Sequence, residues 1–413
     1  MTTAPNIFLS AGEASGDHYG AQIIAELTNR LPQSTFFGLG GQEMAAAGLT
    51  RIVRAEDVAH MGITEVIRHA PYIYRQYRRL VDAIRSQRPA VAILIDFPDV
   101  NFRLAKHCRR LGIPVLWFVS PQLWAWKRSR LRWVQQRVDR MMVIFPFEVP
   151  FYRARNVDAT FTGHPLAELP LPTISRETYA TQHNLDPVTP WIALLPGSRR
   201  KEVALNLPEM LRAATLLAHN APDQRTPAEF LLPVASTLNP DLIRTYLQQA
   251  PGLRITLVPD ARQALHHARA SIVASGTATV QAAVIGNPFL VVYKVSSLTY
   301  RLAKRLIRYP AEIPAPPDAH GNLPIAMVNL IAGRRIVPEL LQDHFTAPNL
   351  AAALTPLLED TPARATMIHD LAQVRHRLQP PPGTTSIHTV CDAVELLLRL
   401  PQPYGGLNLP SSV

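Results

Sequence analysis

Cysteine is nearly absent from this chain. Its 413 residues hold two, Cys108 and Cys391, too few for a disulfide framework or a four-thiolate metal site, and a reducing compartment is expected. Long apolar runs are missing as well. The longest, Ala90–Ile95 and Phe289–Tyr293, are strand-sized, whereas a spanning helix needs about 20 apolar residues. No basic stretch followed by a long apolar segment opens the chain, so no signal peptide is expected and the protein reads as cytoplasmic. Acidic residues are the minority: 31 Asp and Glu face 42 Lys and Arg, a net charge of +11. Such an excess suits nucleic acid, an anionic membrane surface or phosphorylated substrates. Zinc spacings, RNA-binding signatures and basic heptad helices are absent, which argues against nucleic acid. Basic charge without an anchor fits a peripheral protein on an anionic membrane, although many enzymes carry such charge with no partner. No Asp-x-Asp pair occurs, so a metal-bound diphosphate has no obvious holder.

What the chain does have is alternation. Apolar residues make up 47% of it, enough for a large core, and its length exceeds one ordinary core, so two domains are expected. Strand-like runs at Asn6–Ser10, Thr35–Gly38, Ala90–Ile95, Val115–Ser120, Arg140–Phe145 and Ala159–Thr162 alternate with helix-like segments, among them Asp17–Arg30, Thr64–Ser86, Asn101–Leu111 and Lys127–Val138. That pattern predicts a parallel sheet with helices on both faces. A Pro-rich stretch from Pro165 to Pro190 reads as a linker. Strands resume at Trp191–Leu195, Glu229–Val234, Arg254–Val258, Ala270–Ala274 and Phe289–Lys294. Pro310–Pro324 carries five prolines and no periodicity, and reads as a long loop. Asn349–Leu400 reads as helical, and Pro401–Val413 as a frayed end. The expected architecture is α/β. Two doubly wound domains, residues 1–168 and 169–375, face each other across a cleft, and a helical tail, 376–413, packs back toward the first.

In such sheets ligands sit beyond the carboxyl ends of strands, at the switch points. The first such loop, Gly12-Glu13-Ala14-Ser15-Gly16-Asp17, has the shape of a nucleotide loop. It carries two carboxylates where a phosphate needs N–H groups and positive charge. The run Ala90–Ile95 delivers Asp96, with Asp99 and Asn101 close behind. A carboxylate at a strand end suits a general base, and helix capping is the plainer reading. Gly197-Ser198-Arg199, with Glu202 beyond, joins a small-residue turn to a helix start and a guanidinium, a good diphosphate cradle or else an ordinary turn with solvent-facing arginines. Ser275-Gly276-Thr277 repeats the design more weakly, with Gln281 one turn on and within reach of a ribose. Trp124, Trp126 and Trp133, interleaved with four cations, form either an interfacial belt or core rings beside a solvated face. His164 falls at the expected hinge, and His266-His267 reads as surface.

These strings, with Met61-Gly62-Ile63-Thr64-Glu65-Val66, Pro146-Phe147-Glu148 and Asn329-Leu330-Ile331-Ala332-Gly333-Arg334, stand in the order found in the lipid A disaccharide synthase family, which the chain resembles from about Ile7 to Leu400. The resemblance implies two Rossmann-like domains of GT-B type and an inverting glycosyltransferase that uses no metal or other cofactor. It implies transfer of 2,3-diacylglucosamine from UDP-2,3-diacylglucosamine to 2,3-diacylglucosamine 1-phosphate (lipid X), forming a β-1,6-linked disaccharide and UDP. The implied location is the inner face of the inner membrane, and a homodimer is compatible with it. Asp96 is then the candidate base for the acceptor's 6-hydroxyl, with Glu13 beside it. Arg199, Gly276 and Thr277 hold the uridine diphosphate. Ser15, Asp99, Asn101, His164, Gly197, Ser198, Glu202, Ser275, Gln281 and Asn329 complete the expected substrate-binding set. The chain departs from the family at Gln281, where Glu is usual, at Ala326-Met327-Val328 before Asn329, and in the Pro310–Pro324 stretch. A UDP-GlcNAc 2-epimerase, an undecaprenyl-linked transferase and a non-catalytic binding protein are the competing readings.

Overall fold

Fully apolar strands occupy the middle of two parallel sheets, as burial on both faces requires. The computed structural model describes residues 4–59, 70–219, 228–235 and 237–399. The Met61–Val66 string, the start of the Thr64–Ser86 helix and the Pro401–Val413 end lie outside them. The chain divides into two units, Met1–Pro165 with Pro380–Val413, and Leu166–Gln379.

The first unit holds strands β1 (Asn6–Ala11), β2 (Thr35–Gly40), β3 (Leu49–Arg54), β4 (Val91–Ile95), β5 (Val115–Phe118), β6 (Arg140–Val143) and β7 (Ala159–Phe161) in the order β3-β2-β1-β4-β5-β6-β7. All six neighbouring pairs of this sheet are parallel. From β1 the chain builds outward to β3, then returns to β4 on the other flank and builds outward to β7. The loops after β1 and β4 therefore diverge, which opens a crevice at the strand ends. β3 was not expected, because Thr50, Arg51 and Arg54 interrupt its apolar residues. An edge strand with one solvated flank tolerates that mixture. The Ser386–Arg399 helix packs on the Ala14–Arg30 helix within this unit. Arg30 reaches Asp392 at 2.5 Å and Glu395 at 3.2 Å, and Cys391 is buried beside Ile23.

The second unit repeats the plan with β8 (Trp191–Leu195), β9 (Glu229–Pro233), β10 (Ile255–Val258), β11 (Ala270–Ala274), β12 (Phe289–Tyr293) and β13 (Glu339–Leu341), ordered β10-β9-β8-β11-β12-β13. Its switch point lies between β8 and β11. The expected linker from Pro165 is mostly folded onto this unit. Arg176 lies 3.7 Å over the Trp191 ring and donates to the carbonyls of Pro187, Thr189 and His267. His267 corrects the surface reading: it is buried, and its ring stacks on Tyr179 at 4.7 Å. The Pro310–Pro324 loop has no regular element but is well pinned. Tyr309 donates to the Pro324 carbonyl at 2.7 Å, Tyr300 to Asn322 at 2.8 Å, and Arg335 to the Asn322 carbonyl at 2.7 Å.

Candidate active site

Asp96 emerges from the buried β4 strand in a left-handed turn, with φ of 44° at Asp96 and 49° at Phe97. Two consecutive non-glycine residues in that region store strain of roughly 1–3 kcal/mol each. Asn101, fully buried on the Pro98–Arg110 helix, holds the turn: its amide donates to the Asp96 carbonyl at 2.7 Å and to the Ile95 and Ser10 carbonyls at 3.3 Å. The Ser10 hydroxyl donates back to Asn101 at 2.7 Å, so the ends of β1 and β4 are tied through one side chain. Gly12 makes the other half of the fit. A Cβ there would meet the Phe97 ring at 2.5 Å. Glu13 occupies the N-cap position of the Ala14–Arg30 helix without using its side chain as a cap, and stays exposed, as does Ser15.

Burial pushes the Asp96 carboxyl up to about 6, and the Glu13 charge adds to the rise. Two carboxylates thus face one crevice, one of them poised near neutrality. Asp17 is separate. It is buried and accepts from the Gly41, Glu43 and Met44 amides at 2.7–3.2 Å, capping the short helix that begins at Gln42. Asp99 points outward, 72% exposed, and pairs with Arg130 at 2.8 Å.

A third carboxyl near Asp96 escaped the sequence reading as a site residue. Glu148 is buried and accepts from the Ser120 hydroxyl at 2.5 Å, the Trp124 indole at 3.0 Å and the Phe145 amide at 3.3 Å. Burial raises it to about 7, with the Asp96 charge a lesser cause. It locks the loops after β5 and β6, and settles Trp124 as a core ring. Trp126 is the exposed one, at 51%. His164 is buried against Phe145 and held down to about 4 by burial, so it is neutral at physiological pH.

In the second unit the two expected phosphate loops flank the β8/β11 switch point, and they differ. After β8 the Ser198 and Arg199 amides already donate to the Glu202 carboxylate at 3.0 and 3.3 Å, and the Arg199 side chain pairs with Glu202 at 3.1 Å. An anion taking those amides has to displace Glu202. Gly197 is needed because a Cβ there would lie 2.5 Å from that carboxylate. After β11, Gly276 (φ 150°) starts the Thr277–Ile285 helix with no side-chain cap, no heavy atom within 4 Å of a Cβ, and exposed neighbours. Ser275 continues the sheet by donating its amide to the Val292 carbonyl at 2.9 Å. The helix end suits an anion, through free amides and its positive dipole end. Gln281 lies one turn along the same helix and is partly exposed. Asn329 is not available to a ligand: its amide donates to Val337 and Glu339, and its oxygen accepts from the Ile336 and Val337 amides.

Residues 7–381 match the family model described as lipid-A-disaccharide synthetase. A lipid-A-disaccharide synthase of Acidobacterium capsulatum is 53% identical over 414 residues, covering 97% of this chain and 98% of the relative. That of Koribacter versatilis is 48% identical, covering 90% and 93%. Among solved structures, the calicheamicin glycosyltransferase CalG4 superposes with a TM-score of 0.57 at 16% identity over 95% of this chain and 98% of that one. Acinetobacter baumannii MurG gives 0.55 at 15% identity, over 95% and 99%. At such identities the shared property is the fold, two Rossmann-like domains of GT-B type.

Proposed function

Because the chain belongs to the lipid-A-disaccharide synthase family of glycosyltransferases, we propose that it transfers 2,3-diacylglucosamine from UDP to the 6-hydroxyl of 2,3-diacylglucosamine 1-phosphate. The observation that carries the reading of the site is the Asp96–Glu13 pair at the β1/β4 switch point, with Asp96 at about 6. At neutral pH Asp96 is mostly ionised and still basic enough to accept a proton. It takes the acceptor hydroxyl proton as that oxygen attacks the anomeric carbon. The bond from that carbon to the diphosphate breaks on the opposite face, UDP leaves with the electron pair, and configuration inverts. A departing diphosphate needs donors, and the second unit offers them at the open end of the Thr277–Ile285 helix, with the Arg199 guanidinium on the loop after β8.

With both lipids dispersed in detergent, the purified chain forms disaccharide and UDP, and Asp96→Asn lowers kcat by about 10²–10⁴. The acid limb of kcat/KM lies near pH 6 and moves to lower pH in Glu13→Gln, which removes one charge that raises Asp96. No disaccharide from the wild type, or equal turnover by Asp96→Asn, overturns the assignment.

The same reading includes an anionic membrane surface. Residues 70–139 carry fourteen Lys and Arg against four Asp, so ten of the eleven net charges arise there. Trp126 is half exposed, with the Lys127 ammonium 4.2 Å over its ring. No helix among the described residues is long and apolar enough to cross a membrane. Binding to anionic vesicles weakens as salt rises, and salt-independent binding counts against it.

A further inference from the structure

The basic excess of residues 70–139 is not spread evenly. Three helical segments of the first unit, Ala70–Gln87, Pro98–Arg110 and Leu131–Arg137, line a half-open cavity of about 360 Å³. Its lining includes three aromatic rings, Tyr77, Phe102 and Trp133. It also includes five Lys and Arg and a single carboxylate, Asp99. Asp99 is spent on Arg130 at 2.8 Å, and Arg137 is anchored to the Phe102 carbonyl at 3.0 Å and lies 5.0 Å over the Trp133 ring. That leaves Arg103, Lys106 and Arg110, one or two turns apart on the same face of one helix. Among the described residues none of them has an ion-pair partner.

Helix electrostatics do not account for the three. A cation in the last turn gains from the helix dipole, which covers Arg110. Arg103 and Lys106 lie earlier, and like charges three or four residues apart cost roughly 0.2–0.5 kcal/mol per pair. Burial and the neighbouring cations, Arg85, Arg110, Lys106 and Arg78 in that order, hold His107 below its ordinary value, which favours its neutral form, and a neutral imidazole does not offset the cations' repulsion. An anion with several oxygens relieves it directly, since guanidinium forks and an ammonium converge on phosphate geometry.

We propose that this cavity binds the phosphate of a lipid headgroup, with Arg103, Lys106 and Arg110 as its ligands and the Trp133 and Tyr77 rings against the headgroup's carbon skeleton. The site is distinct from the reacting centre at Asp96. The phosphate has two sources with the same chemistry, the phosphorylated sugar acceptor and an anionic phospholipid of the bilayer.

The test compares two triple variants of equal charge. One is Arg103→Gln/Lys106→Gln/Arg110→Gln. The other, Arg75→Gln/Arg88→Gln/Arg132→Gln, removes three cations that do not line the cavity. Each is measured for acceptor KM and kcat in detergent, and for binding to acceptor-free phosphatidylcholine vesicles containing one fifth phosphatidylglycerol. The cavity triple is expected to lose at least tenfold in one arm while the other triple loses less than threefold. A tenfold rise in acceptor KM at unchanged kcat, with vesicle binding intact, assigns the phosphate to the acceptor. A tenfold loss of vesicle binding with KM intact assigns it to the bilayer. Equal losses in both triples mean a diffuse basic surface and overturn the proposal. So does no loss in either arm. The vesicle arm needs no turnover, so it stands even if the transfer reaction assigned above fails.

Discussion

Replacing Asp96 by Asn should lower kcat by about 10²–10⁴ and at the same time stabilise the fold, by an amount set by pH. The carboxyl rises from its ordinary 3.8 to about 6, through burial first and the Glu13 charge second. The native state therefore holds the Asp96 proton more tightly than the unfolded chain does. At about pH 4 and below, both states are largely protonated and the shift has little effect. Between about pH 4 and 6 the unfolded chain ionises first, and native stability falls as pH rises. Above about pH 6 the full penalty applies, some two units at 1.36 kcal/mol each, or about 3 kcal/mol. Asn carries no charge to desolvate, can still accept from the Phe97 amide, and tolerates the left-handed backbone better than most residues. In a domain of this size 1 kcal/mol moves the melting temperature by roughly 2–4 °C. Asp96→Asn should then melt about 6–12 °C above wild type at pH 8 and close to it at pH 4. Thermal unfolding followed by circular dichroism across that range is the assay. A stability difference independent of pH, or a variant less stable at pH 8, refutes a buried, ionised Asp96 as the site's base.

Gly276→Ala places an L side chain at φ 150° and should weaken UDP binding at least tenfold by calorimetry. Glu202→Ala, which clears the Ser198 and Arg199 amides, should leave UDP affinity within threefold or improve it. A large loss there would mean that Glu202 itself holds the nucleotide. Gly163→Ala, at φ 85° with its Cβ 2.6 Å from the Pro380 backbone, should destabilise the first unit by about 2–4 kcal/mol, read as a fall in urea midpoint at constant slope.

The motifs were legible because glycine, proline and charge punctuate a parallel sheet at its strand ends. Asp96 stood out as a carboxylate after six apolar residues, and Gly276 as a glycine between a strand and a helix. Asn101 and Asn329 were expected as substrate contacts. Their spacing is that of a site, but their amides are consumed in tying backbone loops. Glu148 gave no such signal, since an acid in the first turn of a short helix usually faces water. Only the approach of Ser120 and Trp124 from another segment reveals its burial. The Gly197–Arg199 loop carried the stronger charge argument, yet Glu202 folds back and fills its cradle, while the plainer Gly276 turn stays open.

By itself the sequence determined the two rounds of strand and helix, the family, and which loops hold acids and which hold cations. Periodicity and local charge are properties of neighbours along the chain. The tertiary structure decided what those loops can do. Strand order put β1 beside β4 and β8 beside β11, so that residues far apart in sequence share a crevice. Burial, set by packing from every side, raised Asp96 and neutralised His164. Helix packing set the Arg103, Lys106 and Arg110 face of one helix beside the Tyr77 and Trp133 rings of two others. None of these is visible from composition, because each depends on how far a side chain lies from water and from charges elsewhere in the chain.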